Sequence, residues 1–181
     1  KYYMRLTMIF VSTVCFIFLS VPMSHAQAVT FITDAVEGEL YTNTSHPELY
    51  CLAKNIYFEA KSEPVAGQYA VADVVLNRVQ DSRFPNTICG VVKQTKYYPS
   101  GRIDLHSCQF SWYCDGKPDT IRDEKCYKDI LLIAEVMFTY ETEDFTEGSL
   151  WYHSPKVKPK WSMIYTKTVK IDNHIFYKDV D

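Results

Sequence analysis

Three absences narrow the functions open to this chain. Its 19 Lys and Arg residues stand against 22 Asp and Glu residues, and a net charge of −3 gives no basis for nucleic-acid binding. No CxxC pair occurs among its 6 cysteines, so a structural zinc site is not indicated, and we expect neither a metal nor a cofactor. No internal repeat or low-complexity segment is present, so the 181 residues predict one folded domain.

No apolar run is long enough for a comfortable membrane span. The run Ile9–Val21 falls short of the ~20 residues that a transmembrane helix needs. Arg5 precedes it, and the small residues Ser24 and Ala26 follow with the spacing of a signal-peptidase site. We therefore predict a signal peptide that is cleaved after Ala26, with an uncleaved membrane anchor as the alternative.

The predicted signal peptide sets both the domain boundaries and the compartment. We place the signal peptide at residues 1–26, a leader segment at 27–46 and the folded domain at 47–181. Export would take the protein to the periplasm or the extracellular cell wall, with no stable membrane anchor after cleavage. Cysteines tend to pair in such an oxidising compartment. Because Cys15 leaves with the signal peptide, an odd number remains, and one thiol stays outside any intramolecular pair.

Hydrophobic spacing predicts helices over most of the domain. Pro47 suits the first position of a helix that continues to Ala60. The stretch Val65–Val79 is apolar nearly all round, which is typical of a buried helix. Two further helices are expected, a short one from an Asn86 cap to about Gln94, and a long one from a cap at Asp119 or Thr120 to about Tyr140.

Strand signals come late in the chain. Alternating residues from Ile164 to Phe176 surround Asp172-Asn173, a pattern that predicts a β-hairpin. The aromatic segment Cys108–Trp112 is predicted to be extended. An aromatic content of 15% suits a carbohydrate-facing cleft as well as an aromatic core. The predicted fold class is α+β, mostly helical, with a small late hairpin.

Glu59, in the stretch Asn55–Pro64 (NIYFEAKSEP), is the residue that raises a functional question. It lies in the last turn of the first predicted helix, where the negative end of the helix dipole disfavours an ionised carboxylate. Its aromatic and aliphatic neighbours add desolvation in the same direction. Both effects raise the pKa of Glu59, as a general acid requires. The alternative is a solvated helix-end residue paired with Lys54 or Lys61.

A second catalytic carboxylate is not evident. Glycosidases usually employ two carboxylates. The nearest candidates are Glu63, Asp73 and Asp81, of which Asp73 is expected to be a structural ion-pair partner on the second helix. The sequence therefore offers one acid, beside a predicted buried helix and an aromatic segment.

Four sequence blocks carry a family resemblance. NIYFEAKSEPVAGQYAVADVVLNRV, RFPNTICGVVKQ and CQFSWYCDG occur in that order between about Cys51 and Gly116, and WYHSPKVKPKW occupies residues 151–161. In this order they resemble the SleB/CwlJ family of cell-wall hydrolases. The resemblance implies a lysozyme-like domain, similar to lytic transglycosylases and resuscitation-promoting factors. Lys61-Ser62 stands where the family usually has Arg-Gly, a departure that would loosen the turn after the first helix.

A substrate and a catalytic residue also follow from the resemblance. Family members cleave peptidoglycan glycan strands between N-acetylmuramic acid and N-acetylglucosamine, and the Glu of the FEA block, here Glu59, is the catalytic acid. A lytic transglycosylase needs only one carboxylate, because the muramic acid C6 hydroxyl attacks C1. A muramidase uses water and normally a second carboxylate. The sequence favours the transglycosylase, with a muramidase as the alternative, acting as a monomer on glycan strands.

Five further residues are candidates for substrate binding. Trp112 is expected to stack on a sugar face, although the aromatic block could also lie in the core. His153 is expected to hydrogen-bond substrate or to orient Glu59, with a structural role as the alternative, and Trp161 is expected in the core. The candidates are Gln109, Ser111, Trp112, Tyr152 and His153.

Two disulfides are predicted, although the spacing leaves many pairings open. A bond between Cys89 and Cys108 would close a loop that shapes the cleft. A bond between Cys51 and Cys114 would be the second, which leaves Cys126 over.

Rival functions have weaker support. A cysteine peptidase would pair a thiol with His153, but Cys51 is expected to be a helical core or disulfide cysteine. A peptidoglycan-binding module without catalysis is a further alternative. A zinc amidase would need clustered ligands, whereas the histidines lack motif spacing: His46, His106, His153 and His174.

Overall fold

Four α-helices and a three-stranded sheet form the regular structure of the described part of the protein. The structure is a computed structural model that describes residues 45–140 and 142–180. The predicted signal peptide and most of the predicted leader segment lie outside these residues. Within them, no helix has the length and hydrophobicity needed to cross a membrane.

Helix α1 spans Pro47–Ala60, as predicted. Pro47 lies in its first turn, where the missing N–H removes no helical hydrogen bond. Leu52, Ala53 and Ile56 are fully buried, so α1 forms the centre of the helical layer. It packs against three helices: α2 (Val65–Gln80), α3 (Ile88–Val92) and α4 (Glu124–Thr139).

Helix α2 joins the helical layer to the sheet. Ala72 and Val75 lie in the main core with α1. Ala70 and Val74 face the other way and contact Phe176 of the sheet. The prediction of a helix buried on more than one side is confirmed, and its position explains the lack of a polar face.

Helix α3 is shorter than predicted and has a different cap. Thr87, rather than Asn86, occupies the N-cap position, and its hydroxyl accepts a 3.0 Å hydrogen bond from the amide of Gly90. The helix ends at Val92 instead of about Gln94. A threonine at this position satisfies an amide that the first helical turn leaves without a partner.

Helix α4 begins at Glu124, later than predicted, because the residues before it are held in a non-helical conformation. Asp123 caps it by accepting a 3.0 Å hydrogen bond from the amide of Cys126. The hydroxyl of buried Tyr57 accepts hydrogen bonds from the backbone amides of Asp123 and Arg122, at 3.1 and 3.2 Å. Asp119, one of the two predicted caps, instead forms an ion pair with a lysine of α1.

The late part of the chain forms an antiparallel sheet with the order β1-β3-β2. Strands β2 (Thr166–Ile171) and β3 (His174–Lys178) form the predicted hairpin around Asp172-Asn173. Asp172 adopts a left-handed conformation with φ of 47°, which Asp tolerates better than most residues. The third strand, β1 (Trp151–His153), was not predicted and pairs Tyr152 with Phe176. The α+β, mostly helical fold class is confirmed.

Both disulfides form between the four predicted cysteines, but the predicted pairing is wrong. Cys51 of α1 bonds to Cys89 of α3, where the packing of the two helices brings their Cα atoms within 5.2 Å. Cys108 bonds to Cys114, with Cα atoms 6.2 Å apart. Residues Ser111–Cys114 form a 3₁₀ turn rather than an extended segment, which folds the chain back between these two cysteines. Among the cysteines that the structure describes, Cys126 is the free one, as expected.

Candidate active site

A cleft of about 290 Å³ opens where the last turn of α1 faces strand β1. Four residues predicted for the site line it: Glu59, Gln109, Ser111 and Tyr152. The cleft also contains Cys108, predicted only as a disulfide cysteine, and four residues that were not predicted for the site: Arg78, Phe110, Trp151 and Trp161. Helix α1, helix α2, the segment before the 3₁₀ turn and the sheet therefore each contribute a wall.

Glu59 is the titratable group at the centre of this arrangement. Its Oε2 accepts a 3.0 Å hydrogen bond from the hydroxyl of Tyr152. Burial raises the pKa of Glu59, while the Tyr152 hydrogen bond and the charge of Arg78 partly oppose the shift. The net direction is upward, as the helix position predicted. A carboxyl group with a raised pKa keeps its proton to higher pH than an exposed glutamate does, and Glu59 still lines the cleft.

Tyr152 remains a hydrogen-bond donor across the physiological pH range. Burial of its hydroxyl, reinforced by the charge of Glu59, raises the pKa of Tyr152 well above the usual value. Its ring contacts Phe176 with centroids 5.6 Å apart, which fixes the tyrosine against the sheet. Strand β1 therefore presents a stable donor to the acid on α1.

Arg78, a buried cation on α2, supports the opposite wall. Only 3% of it is exposed. Its Nε donates to the carbonyl of Leu150 at 2.8 Å, and its two terminal nitrogens lie 3.2 and 3.0 Å from the amide oxygen of Gln109 when that amide is oriented to accept. Burial lowers the pKa of Arg78 to about 10, against the opposing charges of Tyr152 and Glu59. Arg78 thus stays cationic and holds Gln109 beside the acid.

Two tryptophans give the cleft an aromatic side. Trp151 stacks on Tyr165, with ring centroids 3.9 Å apart and an interplanar angle of 8°. Trp161 also lines the cleft, so its expected place in the core is wrong. Tryptophan combines a large apolar ring with a polar N–H and is common at binding surfaces.

Two predicted site residues lie outside this cleft. Trp112 stacks on Phe58, and its indole N–H donates to Asn55 at 3.1 Å. The ring of His153 has Nε2 3.0 Å from the Tyr177 hydroxyl and Nδ1 2.9 Å from the Ser154 carbonyl. His153 does not line the cleft, and both of its ring nitrogens have protein partners.

The candidates for a second catalytic carboxylate are all engaged elsewhere. Glu63 accepts hydrogen bonds from Asn173 in the hairpin turn. Asp81 binds Arg83 at the surface. Asp73 does not form the predicted ion pair; its carboxylate accepts the amide of Phe145 at 3.0 Å. Among the residues that the structure describes, Glu59 is the one carboxylate that lines the cleft.

Cys51 and the possible metal ligands bear on the rival enzyme functions. Cys51 is in a disulfide bond and is not available as a nucleophile. Within residues 45–140 and 142–180, no group of three or more His, Cys, Asp or Glu side chains is arranged to hold a metal ion. The predicted loosening after α1 is not seen: the amides of Lys61 and Glu63 donate to Tyr57 and Ala60, at 3.3 and 2.9 Å, and close the turn.

Arg78 and the tryptophans show where sequence reasoning fell short. An arginine inside a helix predicted to be buried was a usable signal, because a buried charge needs a partner and often belongs to a site. No local pattern distinguished Trp151 and Trp161 from core residues. Their role depends on the pairing of the sheet, which brings residues near 150 next to α1.

Known proteins resemble the chain in both sequence and fold. A spore cortex-lytic enzyme of Bacillus cereus is 30% identical over 135 residues, which cover 74% of this chain and 45% of that protein. A spore cortex-lytic enzyme of Bacillus subtilis is 41% identical over 59 residues, 33% of this chain and 19% of that protein. The chain therefore spans less than half the length of these relatives.

Two solved structures match the described fold. The catalytic domain of the Bacillus cereus SleB protein superposes with a TM-score of 0.53 at 31% identity, covering 74% of this chain and 91% of that one. The catalytic domain of the germination-specific lytic transglycosylase SleB from Bacillus anthracis gives a TM-score of 0.50 at 29% identity, covering 77% and 100%.

The family assignment follows from a match over more than half of the chain. Residues 62–177 match the Cell Wall Hydrolase family, and Glu59 lies just before the matched residues. The resemblance drawn from the sequence blocks is therefore confirmed, and the chain belongs to the cell wall hydrolase family.

Proposed function

We propose that this protein cleaves peptidoglycan glycan strands between N-acetylmuramic acid and N-acetylglucosamine, as a lytic transglycosylase with Glu59 as its acid and base. The observation that carries the proposal is the single carboxylate of the cleft: among the described lining residues, Glu59 alone has that group. A reaction that needs one carboxylate fits this site better than one that needs two.

In the first step, protonated Glu59 donates its proton to the glycosidic oxygen. The bond from that oxygen to C1 of the muramic acid breaks, and N-acetylglucosamine leaves with the proton. The raised pKa of Glu59 supports this role, because the protonated form must be populated at working pH. Developing positive charge at C1 then faces the carboxylate that has just formed.

In the second step, the muramic acid C6 hydroxyl attacks C1 and gives its proton to Glu59. A bond from O6 to C1 forms, and the product carries a 1,6-anhydro ring. The Tyr152 hydroxyl supports the carboxylate form between the two steps by its 3.0 Å hydrogen bond. Water is not a reactant in this mechanism, whereas a muramidase uses water as the nucleophile.

The compartment and partners follow from this chemistry. Peptidoglycan lies outside the cytoplasm, and the two disulfides fit an exported protein. We infer a location in the periplasm or the extracellular cell wall, with glycan strands as the partner of a monomeric protein.

Product analysis tests the proposal. Purified protein is incubated with sacculi, and the released fragments are separated and identified by mass spectrometry. We expect fragments with 1,6-anhydromuramic ends. Glu59→Gln should abolish release while the far-UV spectrum stays unchanged. The control is Glu63→Gln, which removes a nearby carboxylate outside the cleft and should keep activity. Reducing muramic acid ends would identify a muramidase, and a fully active Glu59→Gln protein would refute the role of Glu59.

A further inference from the structure

A second pocket of about 260 Å³ lies on the other side of the α1 terminus from the cleft. Phe58 and Trp112 line it, whereas their chain neighbours Glu59 and Ser111 line the cleft. Consecutive residues on a helix point about 100° apart, so α1 presents Glu59 to one site and Phe58 to the other. The two sites are therefore neighbours along α1 and the 3₁₀ turn, although no residue lines both.

The aromatic pair that lines this pocket, Phe58 and Trp112, is held in place. The rings of Phe58 and Trp112 stack with centroids 4.7 Å apart and an interplanar angle of 20°. The Trp112 indole N–H donates to Asn55, a fully buried residue of α1. An aromatic pair anchored in this way offers a rigid apolar surface to a ligand, with little entropy to lose on binding.

The rim of this pocket carries charges of both signs. Asp115 is 3.2 Å from the ammonium of Lys117, and Asp119 forms an ion pair with a lysine of α1. The other two cations on the rim are Lys61 and Arg122. Neither has a carboxylate within ion-pair distance among the residues that the structure describes.

We propose that this pocket binds the stem peptide of the glycan strand by its carboxylates, a site that rests on the proposed function. Muramic acids in peptidoglycan commonly carry a short peptide with free carboxylates and amino groups. Lys61 and Arg122 pair with the carboxylates, and the Phe58–Trp112 wall packs on the aliphatic side chains. The acidic groups on the rim accept an amino group, and they disfavour a polyanion such as a phosphate polymer.

This proposal gives Trp112 a different role from the sugar stacking that the sequence predicted. It does not stack on the sugar that is cleaved. It separates the glycan cleft from the peptide pocket and contacts both the acid-bearing helix and the peptide. The pocket favours strands that carry peptides over strands from which the peptides have been removed.

The test compares peptide-bearing glycan strands with strands stripped by an amidase. The double variant Lys61→Glu/Arg122→Glu replaces attraction by repulsion, and its kcat/KM on peptide-bearing strands should fall about tenfold. Its activity on stripped strands should stay at the wild-type level, which also shows that the variant is folded. Lys167→Glu/Lys170→Glu, at two exposed lysines of β2, reverses the same number of charges and should change neither rate.

A binding measurement separates this inference from the proposed function. A soluble stem tetrapeptide is titrated into the wild-type and double-variant proteins and followed by NMR chemical shifts of the indole N–H groups. Weaker binding by the double variant supports the pocket, even if the protein cleaves no glycan. Equal peptide affinity in the two proteins, or equal loss of cleavage on both kinds of strand, overturns it.

Discussion

The hydroxyl of Tyr152 donates a 3.0 Å hydrogen bond to the carboxylate of Glu59, joining strand β1 to the last turn of α1. This contact and burial act on the acid in opposite directions, and burial prevails. The sheet therefore does more than cover the helices. It sets how strongly the catalytic carboxyl group of the proposed mechanism holds its proton.

Removal of that hydroxyl should move the pH profile. In Tyr152→Phe, the carboxylate loses a donor that lowers its pKa, so the pKa of Glu59 rises further. The alkaline limb of kcat/KM, where Glu59 loses its proton, should shift to higher pH. Tyr177→Phe removes a tyrosine hydroxyl that contacts His153 instead and is the matched control. A shift of the alkaline limb to lower pH would contradict the role of Tyr152.

Glu59→Gln should stabilise the protein at neutral pH. The pKa of Glu59 is raised in the folded state, so this group favours folding below its ordinary pKa, and that contribution is lost as pH rises through the folded-state pKa. A neutral amide avoids the loss. Urea unfolding at pH 7.5 should give a free energy of unfolding about 1 kcal/mol higher in the variant. The gain should vanish at pH 4; a gain of the same size at both pH values would argue against the raised pKa.

The acid and its helix could be predicted because the information is local. Helical spacing from Pro47 to Ala60 and the place of Glu59 in the last turn were enough for the position and the direction of the pKa shift. The buried character of α2 was equally local. Trp112 was expected beside the sugar, but it lines the adjacent pocket, whereas its neighbour Ser111 in the same 3₁₀ turn lines the cleft.

Contacts between distant segments were beyond the sequence. The disulfide from Cys51 to Cys89 depends on how α1 packs on α3. Arg78 contacts the carbonyl of Leu150, 72 residues away. Such partners follow from tertiary packing, which spacing along one chain does not specify.

Arg78→Gln should destabilise the protein. The change leaves the carbonyl of Leu150 and the amide of Gln109 without their buried donor. Loss of one partner from a buried polar cluster typically costs about 2–4 kcal/mol. Urea unfolding measures the change, and Arg83→Gln, at an exposed arginine that pairs with Asp81, should have a much smaller effect. Equal effects of the two substitutions would refute the structural role of Arg78.

The two disulfides should differ in their contributions. Cys51 and Cys89 close a loop with a sequence separation of 38, and Cys108 and Cys114 one of 6. Loop-closure entropy gives stabilisations of about 4 and about 2 kcal/mol, respectively. Paired Cys→Ser variants and chemical unfolding under non-reducing conditions test the order. Peptide mapping without reductant should recover these two linkages, and a fragment that joins Cys89 to Cys108 would contradict them.

Asp73 should make stability depend on pH in the neutral range. Burial, reinforced by the charge of Asp144, raises the pKa of Asp73 to about 7. The group therefore stabilises the fold below its ordinary pKa of 3.8, and this contribution is lost as pH rises from there through about 7. Asp73→Asn keeps an amide where the protonated acid would be, and its NH₂ can donate to Asp144. The variant should match the wild-type free energy of unfolding near pH 4 and exceed it at pH 8, by up to about 4 kcal/mol at 1.4 kcal/mol per pKa unit. Asp129→Asn, at an exposed carboxylate of α4, is the control for charge removal. If the wild-type protein instead gains stability relative to Asp73→Asn as pH rises, the pKa of Asp73 is not raised in the folded state.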